Sequence, residues 1–285
     1  MILHRINSAV LAVVWLCGIA AGQCVQSQSE VITLYFGVET PPPGMHFQTI
    51  PSAHTDIEIP FRFAGGWDVH INTDLPVPNT RIETQNAFFS IGADARTTLS
   101  EIPPEYAFIG AAANETFWLF SGYNTAPGFD SQDMTTAEVN ALCLWNPNKP
   151  DKFANSNNKW LQVRLVAVRG PAGGQVAMFE DGELTPIVFF ATFNGIDNDD
   201  EYYIVVKSHS HKSWTFTKPG LYEIDLQIAT YYQCDASLTE DRTGDCVVDL
   251  EDFAALAAEA WMPNDLLTFI DQWLECGSPF DSECP

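Results

Sequence analysis

The chain has 285 residues and a formal net charge of −24, from 37 acidic and 13 basic side chains. This balance argues against nucleic acid and anionic membranes as partners, because phosphate binding depends on clustered Lys and Arg. Divalent cations fit the charge better, although acidity also keeps an exported protein soluble. The length is sufficient for one substantial core and a small second module.

The first residues predict an export signal. A short basic start, His4 and Arg5, precedes an apolar run over residues 9–21 and small residues at 20–22. This is the pattern of a secretory signal peptide, here residues 1–22, and its apolar run is too short to span a membrane. Cys24 suggests lipidation as an alternative, but Gln23 stands where a lipobox has a small residue. We therefore expect a protein that is secreted or displayed at the cell surface.

Six cysteines follow the predicted signal: Cys24, Cys143, Cys234, Cys246, Cys276 and Cys284. An even number in an exported chain predicts disulfides, and zinc thiolates are less favoured because no C-x-x-C pair occurs. Six cysteines allow 15 pairings, and the sequence alone does not choose among them.

Residues 23–233 have the pattern of a β-rich module. Apolar and polar residues alternate over 57–63, 67–71 and 222–228, and Gly, Pro, Asn and Asp separate the runs. Short strands, dense turns and the lack of a long amphipathic helical pattern before residue 235 predict an antiparallel β-sandwich. The polar stretch 122–159 is a long connection, which indicates either one wall of a binding face or an ordered surface loop held by Cys143.

Histidines within these strands form a candidate metal site. His209 and His211 are two residues apart, so in a strand both rings lie on one face and could chelate one cation. With His54 and His70 from other strands they would give a nitrogen site suited to Zn²⁺ or Cu²⁺, with Asp56 as an oxygen or outer ligand. The alternative is that each ring caps a strand or bonds a backbone carbonyl.

The segment HSHKSWTFTKPGLY, residues 209–222, resembles the His-x-His-x-x-Trp-x-Phe-x-x-Pro-Gly-x-Tyr signature of a bacterial surface-anchored protein domain, the choice-of-anchor or actinobacterial surface-anchored type. Further similar segments lie at 53–59, 65–71, 87–96, 108–120 and 161–182, so the resemblance covers most of residues 33–230. Relatives of this domain accompany metal-associated substrate-binding components of transporters. The resemblance therefore implies surface attachment and favours the metal interpretation.

Composition and periodicity both change after residue 233. Residues 235–285 contain 13 acidic side chains and one basic one, Arg242, and apolar residues recur at helical spacing over 250–261 and 266–274. The tail, residues 234–285, is therefore predicted to be a small α-helical pair following the β module. Asn264 is a plausible N-cap for its second helix.

A candidate Ca²⁺ loop begins this tail. Oxygen ligands would come from the side chains at loop positions 1, 3, 5, 9 and 12 and from the position-7 carbonyl, in the order Asp241, Thr243, Asp245, Asp249, Asp252 and Val247. A hard cation such as Ca²⁺ needs six or more oxygens, which this spacing supplies within one turn. The alternative is an acidic loop that only starts a helix.

The loop and helices resemble a degenerate dockerin, a duplicated EF-hand-like module that binds a protein partner. Cys246 occupies position 6, where Gly is usual, and Thr243 occupies position 3, where Asn or Asp is usual, so Ca²⁺ affinity should be weakened. The second repeat keeps its helix but lacks its loop, which places a dockerin-type partner in doubt. A Cys246–Cys276 disulfide is the hypothesis for what replaces the missing loop.

The chain contains none of the common catalytic motifs, whether for a serine hydrolase, a zinc protease or a nucleotide-binding enzyme. We therefore expect an exported, non-enzymatic surface or extracellular binding protein whose ligand the sequence does not name. The alternative is a secreted polysaccharide-degrading hydrolase or carbohydrate-binding module attached through the dockerin-like tail. Trp67, Trp118, Trp145, Trp160 and Trp214 could then form a sugar platform, although such residues are more often core.

Overall fold

The structure, a computed structural model, describes residues 24–44, 46–50, 54–74, 77, 79–121, 126–235, 237–243, 245–258, 263–279 and 284. The predicted signal peptide at residues 1–22 lies outside these ranges. The chain is mainly β, as predicted, with 40% strand and 16% helix. None of the helices in the described ranges combines the length and the apolar character needed to cross a lipid bilayer.

The strands in the described ranges are β1 (Cys24–Gln26), β2 (Glu30–Val38), β3 (Gln48–Ile50), β4 (Thr55–Glu58), β5 (Phe61–Arg62), β6 (Gly66–Trp67), β7 (His70–Thr73), β8 (Thr80–Glu83), β9 (Ala87–Ile91), β10 (Arg96–Thr98), β11 (Thr116–Phe120), β12 (Gly128–Asp130), β13 (Trp160–Arg169), β14 (Val176–Glu180), β15 (Ile187–Ala191), β16 (Glu201–Val205), β17 (His209–His211), β18 (Ser213–Phe216), β19 (Gly220–Ala229) and β20 (Tyr231–Gln233). The α-helices are α1 (Thr136–Ala141), α2 (Leu250–Ala258) and α3 (Pro263–Asp271). Short 3₁₀ helices occupy Thr84–Asn86, Ala93–Ala95, Pro104–Ile109 and Thr192–Asn194.

Three larger sheets carry most of the strands. Their strand orders are β16-β13-β19-β2-β9-β3, β10-β11-β18-β14-β15 and β17-β12-β4-β7-β8, and β1-β20 and β5-β6 form separate pairs. Most pairings are antiparallel, but β9 runs parallel to both β2 and β3, and β12 runs parallel to β4. The prediction of a purely antiparallel arrangement is therefore wrong at these pairs, because long crossover connections bring in strands from distant segments.

The central strand β19 shows why the alternating segments are strands. Tyr222, Ile224, Leu226 and Ile228 are fully buried, whereas the residues between them are half-exposed. The strand pairs with β2 on one side and β13 on the other, so its apolar face lies in the middle of the six-stranded sheet. One buried face per strand is thus sufficient to build a common core.

Aromatic rings from two sheets meet in that core. The ring of Phe36 on β2 lies 5.2 Å from that of Trp214 and 5.3 Å from that of Phe216, both on β18. Trp67, Trp118 and Trp145 are also buried, leaving only Trp160 half-buried among the five tryptophans considered for a sugar platform. These rings therefore stabilise the core, as aromatic burial usually does.

The long connection 122–159 contains two elements that the sequence shows only weakly. Strand β12 inserts between β17 and β4, and α1 is stabilised by a capping box in which Thr135 and Glu138 exchange hydrogen bonds. The helix ends at Ala141, two residues before the disulfide-bonded Cys143. The connection thus supplies a strand of the sheet in which the predicted histidines lie.

The six cysteines form three disulfides: Cys24–Cys143, Cys234–Cys246 and Cys276–Cys284. The predicted Cys246–Cys276 bond is therefore wrong. Val247, not Cys246, lies opposite Cys276 in a short antiparallel bridge, and consecutive side chains of an extended segment point to opposite sides. The Sγ of Cys24 is engaged in its disulfide, so the bonded form has no thiol there for lipidation.

The acidic tail forms the predicted pair of helices, α2 and α3. Val248, Leu256 and Phe269 make a small core of their own, and β20 of the larger module ends at Gln233, where the composition changes. Helix α3 begins at Pro263, one residue before the predicted cap at Asn264. Proline is favoured at the first helical position because its fixed φ suits a helix and no amide is needed there.

Candidate metal centre

The sheet β17-β12-β4-β7-β8 arranges the polar side chains of five strands in rows. Residues directly opposite each other in paired strands lie on the same face. One row consists of His211, Gly128, Asp56, Asn72 and Arg81. The next row on that face consists of His209, Asp130, Glu58, His70 and Glu83.

Four side chains at the β17 end of this face converge on one point. His54, Asp56, His209 and His211 each offer a ligand atom, and these atoms all lie within 4.8 Å of one another. The Nε2 atoms of His209 and His211 are 2.9 Å apart, and they lie 3.3 and 3.5 Å from Asp56 Oδ1. His54 Nε2 lies 3.7 Å from Asp56 Oδ2. Three imidazoles and one carboxylate are a donor set that binds first-row transition metals.

His211 is oriented by the backbone. Its Nδ1 lies 2.7 Å from the carbonyl oxygen of Ala126, so Nδ1 carries the hydrogen and Nε2 presents its lone pair towards Asp56. Burial lowers the pKa of His211, which favours the neutral imidazole that a metal requires. A second ring nitrogen bonded to a carbonyl is the usual support of a metal-binding histidine.

Asp56 has an unsatisfied oxygen. The residue is 6% exposed, and its Oδ1 accepts no hydrogen bond from any described residue, although two imidazole nitrogens lie nearby. A buried carboxylate oxygen without a partner is costly, and a cation bound between the carboxylate and the imidazoles would remove that cost. The residues present therefore fit a bound metal ion.

His70 does not join the other three predicted histidines. It lies on β7, which is three strands away from β17 in the sheet order β17-β12-β4-β7-β8. Its Nδ1 is 2.9 Å from the carbonyl oxygen of Asp68. Asp56, which the sequence suggested as an oxygen or outer ligand, is the central residue of the cluster, because its carboxylate lies close to all three imidazoles. Three of the four predicted histidines are thus brought together, and His70 follows the alternative of a ring bonded to the backbone.

An acidic cavity of about 290 Å³ adjoins the centre. It is lined by His54, Asp56, Glu58, Asn72, Asp74, Asn79, Asp130, Gln132 and Asp133. Burial and the neighbouring Asp130 raise the pKa of Glu58 to about 7, and burial also raises the pKa of Asp130. Neither Glu58 nor Asp130 is among the predicted site residues, although the alternation Asp56-x-Glu58 places two carboxylates on one face of a strand.

The candidate Ca²⁺ loop brings three of its six predicted ligands together. Carboxylate oxygens of Asp241, Asp245 and Asp252 lie within 4.8 Å of one another. Asp252 accepts hydrogen bonds from the amides of Arg242, Thr243 and Asp249. The fourth predicted carboxylate, Asp249, lies outside this group, and its Oδ1 accepts the amide of Glu251 at the start of α2. Thr243 and Val247, the predicted hydroxyl and carbonyl ligands, belong to the same loop.

The loop backbone turns sharply at Cys246, the position where the sequence has Cys in place of the usual Gly. Cys246 at position 6 has φ +72°, the left-handed conformation for which EF-hand loops normally use Gly. Such a conformation costs a non-glycine residue roughly 1–2 kcal/mol. Cys246 is fully buried, and its disulfide to Cys234 joins the loop to the end of the β module.

Comparison of the chain with protein-family models, with curated proteins and with solved structures finds no match in any of the three. The interpretation of the site therefore rests on its own geometry.

Proposed function

We propose that this protein is an exported, non-enzymatic binding protein whose β module holds a transition-metal ion through His54, Asp56, His209 and His211. The observation that carries the proposal is the buried Oδ1 of Asp56, which accepts no hydrogen bond although imidazoles from separate segments meet beside it. A structural role alone would be expected to give each buried polar atom a hydrogen-bond partner.

The donor set favours Zn²⁺, with Cu²⁺ as the second choice. Three imidazole nitrogens and one carboxylate oxygen complete a four-coordinate shell, which is typical of Zn²⁺ sites that hold a metal without using it in catalysis. Cu²⁺ also binds imidazole and carboxylate, and it exceeds Zn²⁺ in intrinsic affinity. The metal would either stabilise the module or form part of the surface that an extracellular ligand contacts.

Export and surface display form part of the same proposal. Three disulfides are more typical of proteins outside the reducing cytoplasm, and they agree with the signal peptide expected from residues 1–22. The ring contacts between Phe36 and β18 support a β-sandwich built from the six-stranded sheet and the sheet that contains β18. The resemblance to a bacterial surface-anchored domain supports the surface location.

In the tail, we propose a Ca²⁺ loop of the dockerin-like, EF-hand-like type. Support comes from the three converging carboxylates, from the left-handed Cys246 and from the bridge between Val247 and Cys276, which pairs the loop with the segment after α3. The tail would attach the protein to a partner or stabilise the loop region. Because the tail has no second loop, its partner would differ from the partner of a complete dockerin.

The test is the metal content of the full-length, untagged protein. After dialysis we expect about one equivalent of zinc or copper, and we expect the His209→Ala/His211→Ala double variant to lose it, since the variant removes two of four ligands. His46→Ala is the matched control, because His46 is exposed and lies outside the cluster. His70→Gln should also retain the metal.

Two outcomes would contradict this proposal: no retained transition metal in the parent, or retention of the metal by the double variant. Near-ultraviolet circular dichroism of each variant would show that the fold is intact. If the purified, metal-containing protein turns over a substrate, the protein is an enzyme and the non-enzymatic assignment is wrong.

A further inference from the structure

The acidic cavity beside the histidine centre contains a pair of neighbouring carboxylates. Glu58 on β4 and Asp130 on β12 lie directly opposite each other in parallel strands, whose backbones are separated by about 4.8 Å. They are 6% and 7% exposed. Two like charges held side by side in a buried position destabilise the sheet unless something compensates them.

Glu58 lines this cavity and has an unsatisfied oxygen. Its Oε1 accepts a hydrogen bond of 3.3 Å from Asn72, whereas its Oε2 is buried and has no hydrogen-bond partner among the described residues. The carboxylate thus has one oxygen held by an amide, and a cation bound at the cavity wall would give the other oxygen the partner that the described residues do not.

The basic side chains near the cavity already have partners other than Glu58 and Asp130. Arg62 pairs with Asp133 and Glu138, and Arg81 pairs with Asp68 and Glu83. Lys207 donates to the carbonyl oxygens of Gln132 and Met134. Asp133 is therefore partly neutralised, but Glu58 and Asp130 face no Lys or Arg in the cavity lining that the structure describes.

The lining also supplies neutral oxygens. Asn72, Asn79 and Gln132 are also lining residues, and their side-chain amides each carry an oxygen in addition to the carboxylates. Hard divalent cations such as Ca²⁺ take six to eight oxygen ligands, including water. The volume is sufficient for one ion with several of its waters, since a water occupies about 30 Å³.

We propose that this cavity binds a Ca²⁺ ion through Glu58 and Asp130, with amide oxygens and water completing its coordination. This site is distinct from the histidine centre because its donors are oxygens, which select a hard cation, whereas the imidazoles select a transition metal. The β module would then hold two cations of different chemistry on neighbouring rows of one sheet face.

The test is calorimetric titration of Ca²⁺ into the full-length protein carrying Asp241→Ala, which removes a ligand of the tail loop. We expect binding that is weakened at least tenfold by adding Glu58→Gln. Asp130→Asn should have the same effect, and it provides a second variant should the first fold poorly. Glu83→Gln is the matched control: Glu83 belongs to the same row but lies outside the cavity lining and pairs with Arg81.

Thermal unfolding in chelator provides a second measurement. Removal of one of two repelling carboxylates should raise the melting temperature of the cation-free protein in Glu58→Gln, whereas excess Ca²⁺ should stabilise the parent more than the variant. The His209→Ala/His211→Ala variant should lose its transition metal, while its Ca²⁺ affinity should stay within about threefold of the parent value. The failure of one proposal can therefore be distinguished from the failure of the other. Ca²⁺ isotherms that are the same with and without Glu58→Gln and Asp130→Asn, or no Ca²⁺ binding in the folded Asp241→Ala protein, would overturn the proposal.

Discussion

His211 on β17 and Asp56 on β4 approach each other across an intervening strand, with His211 Nε2 3.5 Å from Asp56 Oδ1. The residue of β12 directly between them is Gly128. A Cβ at that position would lie 2.7 Å from Asp56 Oδ1 and 3.1 Å from two ring atoms of His211. The lack of a side chain at Gly128 therefore allows two side chains that are two strands apart to come within 3.5 Å of each other.

Gly128→Ala should impair the centre while leaving the sheet intact. The φ of Gly128 is not in the left-handed region, so alanine is compatible with the backbone, and the group that must move is the end of the Asp56 side chain. We expect Zn²⁺ affinity to fall at least tenfold, which corresponds to about 1.4 kcal/mol. Competition with a chromogenic chelator measures this change.

Gly92→Ala is the control for that substitution. A Cβ at Gly92 would lie 2.6 Å from Asp94 Oδ1, a similar encroachment on a carboxylate, but Gly92 is far along the chain from the centre and outside its residues. We expect this variant to bind Zn²⁺ like the parent. Equal affinity in the Gly128 and Gly92 variants would count against the role given to the gap in β12.

Part of the centre could be predicted because it depends on local pattern. The alternation of His209 and His211 fixes both rings on one face of a strand, and the alternation of Asp56 with apolar neighbours places it on a polar face. His70 was also placed on a polar face, and its strand does belong to the same sheet. The prediction that His70 joins the site is wrong because β7 lies two strands beyond β12 in the sheet. The His70 ring instead bonds the carbonyl oxygen of Asp68.

The remainder depends on long-range pairing that the sequence does not display. Strand β12 has three residues and lies in a polar connection, so no periodicity distinguishes it, yet it places Gly128 and Asp130 within the site. The pairing of β12 with β4 is parallel and spans about 70 residues of chain. The tail helices, in contrast, follow from their own 3.6-residue periodicity, and their existence was predicted without knowledge of any partner.

The disulfides should differ in what they contribute to stability. Cys24–Cys143 joins residues 119 apart, whereas Cys276–Cys284 joins residues 8 apart. Loop-closure entropy predicts that the longer loop stabilises the chain by about 2 kcal/mol more than the shorter one. Urea unfolding of the Cys24→Ser/Cys143→Ser and Cys276→Ser/Cys284→Ser variants should show this difference. The idea fails if the shorter loop proves to be the more stabilising, or if a peptide map of the parent shows other pairings.

Arg169 and Asp225 should give the β module an acid-sensitive contribution to stability. Two guanidinium nitrogens of Arg169 lie 2.6 and 2.9 Å from the Asp225 oxygens, and this bond, aided by Thr33, holds the pKa of Asp225 below its ordinary value. A depressed pKa stabilises the folded state above the unfolded value of about 4, and the contribution is lost as pH falls through the folded value. Arg169→Gln should therefore cost about 1 kcal/mol at pH 7 and progressively less as the pH falls below about 4.

Urea unfolding of the parent and the Arg169→Gln variant across that pH range measures this effect. Asp225→Asn should reproduce the loss of pH dependence because it removes the titrating group itself. A cost of Arg169→Gln that stays constant from pH 7 to pH 2 would show that the arginine acts through packing of its stem and not through the charge of Asp225.

The tail loop should respond to Ca²⁺ through Asp241, whose carboxylate accepts the amides of Asp245 and Cys246 and lies in the group with Asp252. An ion that binds only the folded loop stabilises it by about 2.7 kcal/mol at a concentration 100 times its dissociation constant. The measurement is hydrogen exchange of the amides in residues 241–252, with and without Ca²⁺, in protein carrying Glu58→Gln so that the β-module cavity does not contribute. We expect Ca²⁺ to slow exchange in this protein and Asp241→Ala to abolish the effect. Asp271→Ala, which removes an exposed tail carboxylate outside the loop, is the control and should preserve the effect. Exchange that is insensitive to Ca²⁺ would mean that the acidic loop serves only to start α2, because its carboxylates already satisfy the amides around them.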